Sequence, residues 1–390
     1  MSAPSDDQLL HRALDLAHAG VGLASPNPCV GAVITDTQGN IVGEGTYTYA
    51  GLKHAEILAL EAAGERARGG RLYINLEPHA HQGRTPPCTD ALIKAGCQRV
   101  VACMPDPNPK VSGKGFEQLR AAGIQVEVGQ LEEEARRLNE AFARYIRHVV
   151  PLVMLKSAMS LDGKIAPSSA AKQQSASAFS GAGFSGVWLT GEQARAHVHE
   201  QRHQHDAILA GIGTILADNP LLTDRSGRPR RRPLLRVILD SRLRLPLDSR
   251  IVQSASTGDL LVFTTSPDAR KREQLEKRGI RVETVPLAAP RGHVDLHAVL
   301  RRLGELEISS LMIEGGSTVN AAALTANIVD KVFLYYAPKL LGASAVSFAD
   351  ASEARSAGDP LLLKRIHLHR FGEDFAVEGY LRDPYEESNC

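Results

Sequence analysis

Cysteine is scarce in this chain: five in 390 residues, at positions 29, 88, 97, 103 and 390. So few, and odd in number, they argue against a disulfide framework and make a reducing cytoplasm the expected compartment. An excess of charge of one sign is also missing. Forty-five Lys and Arg against 44 Asp and Glu leave a net charge of +1. That gives no basis for bulk attraction to nucleic acid or anionic lipid. No apolar run reaches the ~20 residues of a membrane-spanning helix. The opening Met-Ser-Ala-Pro-Ser-Asp-Asp is polar and acidic, unlike a secretory leader. The two halves share no repeat, and no Gly-x-Gly-x-x-Gly opens a strand–helix unit, so a Rossmann dinucleotide site is not expected. What remains is ordinary globular composition, 43% hydrophobic and 23% charged, in a chain long enough for two or three domains.

The pattern along the chain divides it in two. Residues 8–20 carry Leu9, Leu10, Ala13, Leu14, Leu16 and Ala17 at helical spacing. Val30–Thr35 and Ile41–Glu44 read as strands around the turn Asp36–Asn40. His54–Ala67 reads as a helix with His54 and Glu56 at its start, then Arg71–Leu76 as a strand and Thr89–Ala95 as a helix. Val100–Met104, Phe116–Ala122, Val126–Val128 and Glu132–His148 continue as strand, helix, strand and helix. This alternation describes a layered α/β domain with its site at strand–helix junctions. Pro151 and the strand Leu152–Ala158 open the second half, so we place the boundary at 149/150. Beyond it, Ala207–Ala210, Leu235–Leu239, Leu260–Thr264 and Ser310–Ile313 are short apolar runs with helices between. Lys331–Ala337 and Ile366–Leu381 make a strand-rich, hairpin-like end. The Ser/Ala/Gly-biased stretch Ser168–Gly186 reads as a mobile loop.

The chemistry concentrates in one region. His54-Ala55-Glu56 stands at a helix start. Leu76-Glu77-Pro78-His79-Ala80-His81 follows a strand, and Pro86-Pro87-Cys88 precedes the next helix. A zinc-dependent base deaminase needs a His and two further metal ligands, plus a Glu that moves protons without binding metal. The metal makes hydroxide available near neutral pH, and the Glu shuttles a proton to the departing ammonia. Helix N-termini suit the task because their free N–H groups support negative charge.

The match then becomes specific. Pro26-Asn27-Pro28-Cys29-Val30-Gly31, Leu76-Glu77-Pro78, Gly83-Arg84-Thr85-Pro86-Pro87-Cys88-Thr89-Asp90 and Asp106-Pro107-Asn108-Pro109 resemble the bifunctional deaminase–reductases of riboflavin biosynthesis. So do Lys156, Ser160-Leu161-Asp162-Gly163-Lys164, Trp188-Leu189-Thr190, Ala217-Asp218-Asn219-Pro220 and Ala337-Pro338-Lys339-Leu340-Leu341-Gly342. The resemblance covers nearly the whole chain in order. It implies an α/β protein with a cytidine-deaminase-like domain over 1–149 and a dihydrofolate-reductase-like domain over 150–390. It implies Glu56 as the catalytic proton carrier, His54 and Cys88 as zinc ligands, and Asn27 and Arg84 as substrate contacts. His79 stands where the family has its first Cys. Imidazole is an ordinary zinc ligand, so His54, His79 and Cys88 remain a sound set. His81 competes with His79 if the loop is shifted. Tyr47 stands where the family usually has His; it cannot titrate near neutrality and receives no role.

For the second half, the apolar run Ser310–Ile313 leads into Glu314-Gly315-Gly316-Ser317-Thr318. A glycine pair between strand and helix lets backbone approach a phosphate. The resemblance implies that Ala158, Trp188, Thr214, Asp218, Ser241, Gly316, Ser317 and Thr318 line an NADPH site. It implies that Arg202, Leu222, Arg225 and Glu314 face substrate, the arginines suiting a phosphate.

The expectation is a cytoplasmic, homo-oligomeric bifunctional enzyme with Zn²⁺ and NADPH as cofactors. It acts on small phosphorylated pyrimidines and binds neither nucleic acid nor membrane. The first half would deaminate 2,5-diamino-6-(5-phosphoribosylamino)pyrimidin-4(3H)-one. The second would reduce the ribosyl chain to give 5-amino-6-(5-phosphoribitylamino)uracil. The alternative is a reductase whose degenerate deaminase half is only a scaffold. A tRNA or free-base deaminase would call for a short Pro-Cys-x-x-Cys loop and a basic face, and neither is present.

Overall fold

The structure, a computed structural model, describes residues 4–82, 86–167, 188–256, 258–265, 268–288, 293–349 and 360–386. The chain divides into two compact units. One runs to Val149 and includes Pro229–Arg232; the other holds Val150–Arg228 and Pro233–Glu386.

The first unit is built from α1 (Asp6–His18), β1 (Gly31–Thr35), β2 (Ile41–Thr46), α2 (Ala55–Ala63), β3 (Arg71–Ile74), α3 (Cys88–Ala95), β4 (Arg99–Ala102), α4 (Lys114–Ala121), β5 (Gln125–Val128) and α5 (Glu132–His148). Its sheet has the order β2-β1-β3-β4-β5, antiparallel at β2/β1/β3 and parallel at β3/β4/β5. All five residues of β1 are buried, which is why this strand reads as a continuous apolar run. Two glycines of β2 bring α2 close: a Cβ at Gly43 would lie 2.0 Å from the Ala59 carbonyl, and one at Gly45 2.1 Å from that of Ala55. The start of α2 is thereby pressed onto the sheet.

Several boundaries shift by a residue or more from those expected of the sequence, and two helix boundaries do so for a local reason. The first helix begins at Asp6, not residue 8, because Ser5 and Gln8 form a capping box. The helix expected over His54–Ala67 is α-helical only to Ala63, since Gly64 takes φ +57 and the chain continues as a 3₁₀ turn to Ala67.

The second unit contains β6 (Leu152–Ser160), β7 (Lys164–Ala166), β8 (Ala207–Gly211), β9 (Leu235–Leu239), β10 (Leu260–Thr264), β11 (Arg281–Thr284), β12 (Leu287–Ala288), β13 (His293–Val294), β14 (Ser310–Ile313), β15 (Lys331–Ala337), β16 (Val346–Ser347), β17 (Lys364–Phe371) and β18 (Asp374–Tyr380). Nine of them form one sheet in the order β11-β10-β9-β8-β14-β6-β15-β18-β17. It is parallel from β11 to β15, and β18 and β17 add an antiparallel hairpin at one edge. Separate apolar clusters cover its two faces. One is centred on Ile208, Ile238 and Met312, the other on Leu209, Val237 and Leu311. Alternate residues of the parallel strands thus face opposite cores, as a doubly covered sheet requires. The Ser168–Gly186 loop lies outside the described residues.

Candidate active sites

In the first unit, His54 is the N-cap of α2, and Glu56 sits in its first turn, only 3% exposed. Cys88 opens α3 and is fully buried. The N-cap of α3 is Pro87, which offers no side-chain acceptor. The His79 carbonyl accepts instead from the N–H groups of Cys88 (2.8 Å) and Thr89 (3.2 Å).

One donor atom each from His54, His79 and Cys88 lies within 4.8 Å of the others, and His54 Nδ1 is 3.1 Å from Cys88 Sγ. The Nδ1 of His79 is buried without a hydrogen-bond partner. Burial, with His81 and His54 nearby, pushes His79 down to about 4, so its imidazole is neutral near pH 7. Burial and the neighbouring Glu56 carboxylate push the Cys88 thiol far up. An unpartnered buried imidazole nitrogen, a second imidazole and a buried thiol make a three-donor set that fits zinc with one position left for water. His81 is exposed, packs edge-on against His79 at 4.2 Å, and stands outside the three-donor cluster.

His54, Glu56 and His79 line a cavity together with Asn27, Tyr47 and Tyr49. Tyr47 is buried, and its hydroxyl accepts from Asn27 Nδ2 at 2.6 Å. Asp106 and Asn108 line the same cavity. In the sequence these two stand out only as part of a motif. Burial lifts Asp106 to about 6. The loop carrying them is tied down by Glu77, whose carboxylate accepts from the N–H groups of Asp106 (3.0 Å), Gly113 (2.8 Å) and Gly115 (2.8 Å). Arg84 lies outside the described residues.

In the second unit, the parallel strands all end at one edge, the usual place for a ligand in such a sheet. Glu314 follows β14 there. Its carboxylate binds Arg202 through two bonds of 2.7 and 3.0 Å, and Lys156 Nζ stands 3.4 Å away. Burial alone would raise this carboxyl, but Lys156 and Arg202 outweigh burial and hold it at about 2. The remaining fork of Arg202 donates to the Thr223 carbonyl at 3.0 Å, between Leu222 (buried, φ +52) and Arg225 (exposed). The four expected substrate residues are therefore gathered around one ion cluster.

The expected cofactor residues spread along the same edge. Ser241 follows β9, Thr214 follows β8, Gly316 follows β14, and Ala158 lies late in β6. Gly316 is the N-cap of the helix Ser317–Thr325 and supplies no capping side chain. A Cβ on Gly316 would meet Thr214 Oγ1 at 3.6 Å. An uncapped helix start behind Gly315-Gly316 is a cradle that fits a pyrophosphate. Trp188 is 69% exposed and carries the Arg195 guanidinium 5.3 Å above its ring. Asp218 ends the helix Ile212–Asp218 and is exposed.

Comparison with known proteins agrees with both halves. Residues 3–104 match the cytidine and deoxycytidylate deaminase zinc-binding region, and residues 151–377 match the RibD C-terminal domain. The riboflavin biosynthesis protein RibD of Actinobacillus pleuropneumoniae is 40% identical, covering 97% of this chain and 96% of its own length. That of Escherichia coli K12 is 38% identical over 95% of this chain and 98% of its own. The RibD structure from Acinetobacter baumannii superposes with TM-score 0.79 at 34% identity, over 96% of this chain and 98% of that one. A Thermotoga maritima deaminase/reductase structure gives 0.79 at 36%, with the same coverage. Among the described residues no helix is long and apolar enough to cross a membrane. The chain belongs to the RibD family, the bifunctional deaminase–reductases of riboflavin biosynthesis, enzymes that use zinc and NADPH.

Proposed function

We propose that residues 1–149 deaminate 2,5-diamino-6-(5-phosphoribosylamino)pyrimidin-4(3H)-one and that residues 150–390 reduce the product's ribosyl chain. The Thermotoga maritima relative carries these two activities in its name. The observation that carries the first half is the His54–His79–Cys88 cluster beside buried Glu56. In this reading those three residues hold zinc, which supplies a hydroxide nucleophile near neutral pH. Glu56 takes the proton from the attacking water and returns it to the departing amine. Asn27, fixed by Tyr47, orients the pyrimidine, and Arg84 adds a polar contact. The complete donor set disfavours a scaffold-only role for this half.

In the second half, NADPH supplies hydride when bound. The Gly315-Gly316 turn with the N–H groups of Ser317 and Thr318 would receive its pyrophosphate, and Ser241 its 2′-phosphate. Ala158, Trp188, Thr214 and Asp218 would complete the cofactor site. Leu222 and the Arg202–Glu314 pair would face the ribosyl chain, and Arg225 its phosphate.

The test is Glu56→Gln in the full chain. We expect zinc content to stay and ammonia release to fall by roughly 10²-fold or more. NADPH oxidation with the deaminated substrate should persist. Loss of both activities together would refute the division of labour.

A cytoplasmic location is supported by the four free cysteines among the described residues. A homo-oligomer is supported by edge strand β17, where Ile366 is 56% and Leu368 76% exposed. Sedimentation velocity showing only monomer at micromolar concentration would remove the latter reading.

A further inference from the structure

One turn before Arg202, on the same face of the helix Glu192–Gln204, stands His199. None of the roles above uses it. Its Nδ1 is buried and has no hydrogen-bond partner. Its ring is within electrostatic reach of Arg202 on its own helix, of Asp224 and Arg225 on the following loop, and of Glu314 at the end of β14.

The partners of these neighbours decide what is left over. Arg202 spends Nε and Nη2 on Glu314 and Nη1 on the Thr223 carbonyl. Asp224 is held by His203 Nδ1 at 3.0 Å and by the Ser226 N–H at 2.8 Å. Arg225, by contrast, donates only through Nε, to Thr223 Oγ1 at 3.4 Å. Its two terminal nitrogens have no partner among the described residues. Lys156, Arg202 and Arg225 against Glu314 and Asp224 leave one cation in excess. Among these named side chains, the groups with hydrogen-bonding capacity left to meet an anion are His199 and Arg225.

We propose that His199 and Arg225 together bind the phosphate of the reductase substrate, while Arg202 acts as a clamp that positions Glu314 and the Thr223 backbone. The proposal rests on the reductase reading above and names its phosphate subsite. Burial, Arg202 and Arg225 hold the imidazole below its ordinary range in the free protein, against the opposing pull of Glu314 and Asp224. A phosphate dianion reverses the sign of the local field. His199 then takes up a proton and donates it in a charge-assisted hydrogen bond.

The test uses the full chain with NADPH and two substrates, 5-amino-6-(5-phosphoribosylamino)uracil and its dephosphorylated counterpart. For His199→Gln we expect KM for the phosphate ester to rise about 10- to 100-fold, the range for one charge-assisted bond. We expect kcat, KM for NADPH and the kinetics of the dephosphorylated compound to hold. Competitive inhibition by inorganic phosphate should weaken in parallel. Arg225→Gln, at an exposed position, should show the same pattern and keeps the test open if His199→Gln misfolds. An unchanged KM and unchanged phosphate inhibition would overturn the proposal. So would an equal loss on both substrates, which marks a structural role. If the wild-type chain fails to oxidise NADPH with either substrate, the reductase reading falls first, and this proposal with it.

Discussion

Glu77 offers a direct test of how the fold supports the deaminase cavity. The residue is 5% exposed, and its carboxylate accepts three backbone N–H groups, from Asp106, Gly113 and Gly115. The approach is close enough that a Cβ on Gly115 would lie 2.2 Å from the Pro78 carbonyl and 3.0 Å from Glu77 Oε1. Glu77→Ala leaves three N–H groups without an acceptor, at about 1–3 kcal/mol each before water refills the gap. We expect the first unit to lose roughly 3–5 kcal/mol. Glu77→Gln keeps one carbonyl oxygen and should lose about 1–2 kcal/mol. Because Asp106 and Asn108 line the cavity from the tethered loop, ammonia release should fall while NADPH oxidation holds. Urea unfolding gives the stability change. Amide exchange gives its location, with Gly113 and Gly115 losing protection first. Stability within about 0.5 kcal/mol of wild type, with both amides still protected, would refute the reasoning.

Other perturbations address the remaining polar clusters. Cys88→Ala should abolish stoichiometric zinc by elemental analysis; full zinc retention would move the metal elsewhere. His79→Cys should tighten zinc against chelators, because thiolate adds negative charge, and should shift the acid limb of the deamination profile to higher pH. No change in either would remove His79 from the ligand set. Glu314 is held at about 2 against an ordinary 4.5, so its ion pairs stabilise fully above pH 4.5 and are lost as pH falls toward 2. The stability difference between wild type and Glu314→Gln should therefore be flat above pH 5 and shrink by about 3 kcal/mol on acidification. A difference independent of pH would contradict the ion-pair account.

Much of this was legible in residue order. The run Gly31–Thr35 and the parallel-strand runs Leu235–Leu239 and Leu260–Thr264 are mostly apolar, with Arg236 the one charged exception, because both faces of each strand are covered. Buried strands announce themselves this way. The proposed zinc cluster was legible because two of its donors, His54 and Cys88, sit at helix starts, which short local patterns mark. The Glu314–Arg202–Lys156 arrangement was legible only in membership. That Arg202 spends its whole fork on Glu314 and Thr223 is a fact of side-chain direction, and 112 residues separate the ion pair. His199 was missed for a related reason. Its distinguishing feature is a buried nitrogen with nothing to bond, and no sequence spacing encodes an absence. Glu77 was read as part of a motif, but its three partners lie 29–38 residues away on backbone alone. Backbone donors carry no residue identity to read.

The His79 carbonyl has a consequence for how this site can vary. It is the main chain of residue 79, not its side chain, that caps the helix bearing Cys88. The distance between those two positions is therefore fixed whichever side chain residue 79 carries. In the proposed zinc site the scaffold would thus separate the framework from the choice of donor atom. If residue 79 holds the metal as proposed, a lineage could exchange sulfur for nitrogen there and change the electronic character of the centre without a compensating mutation in this helix cap.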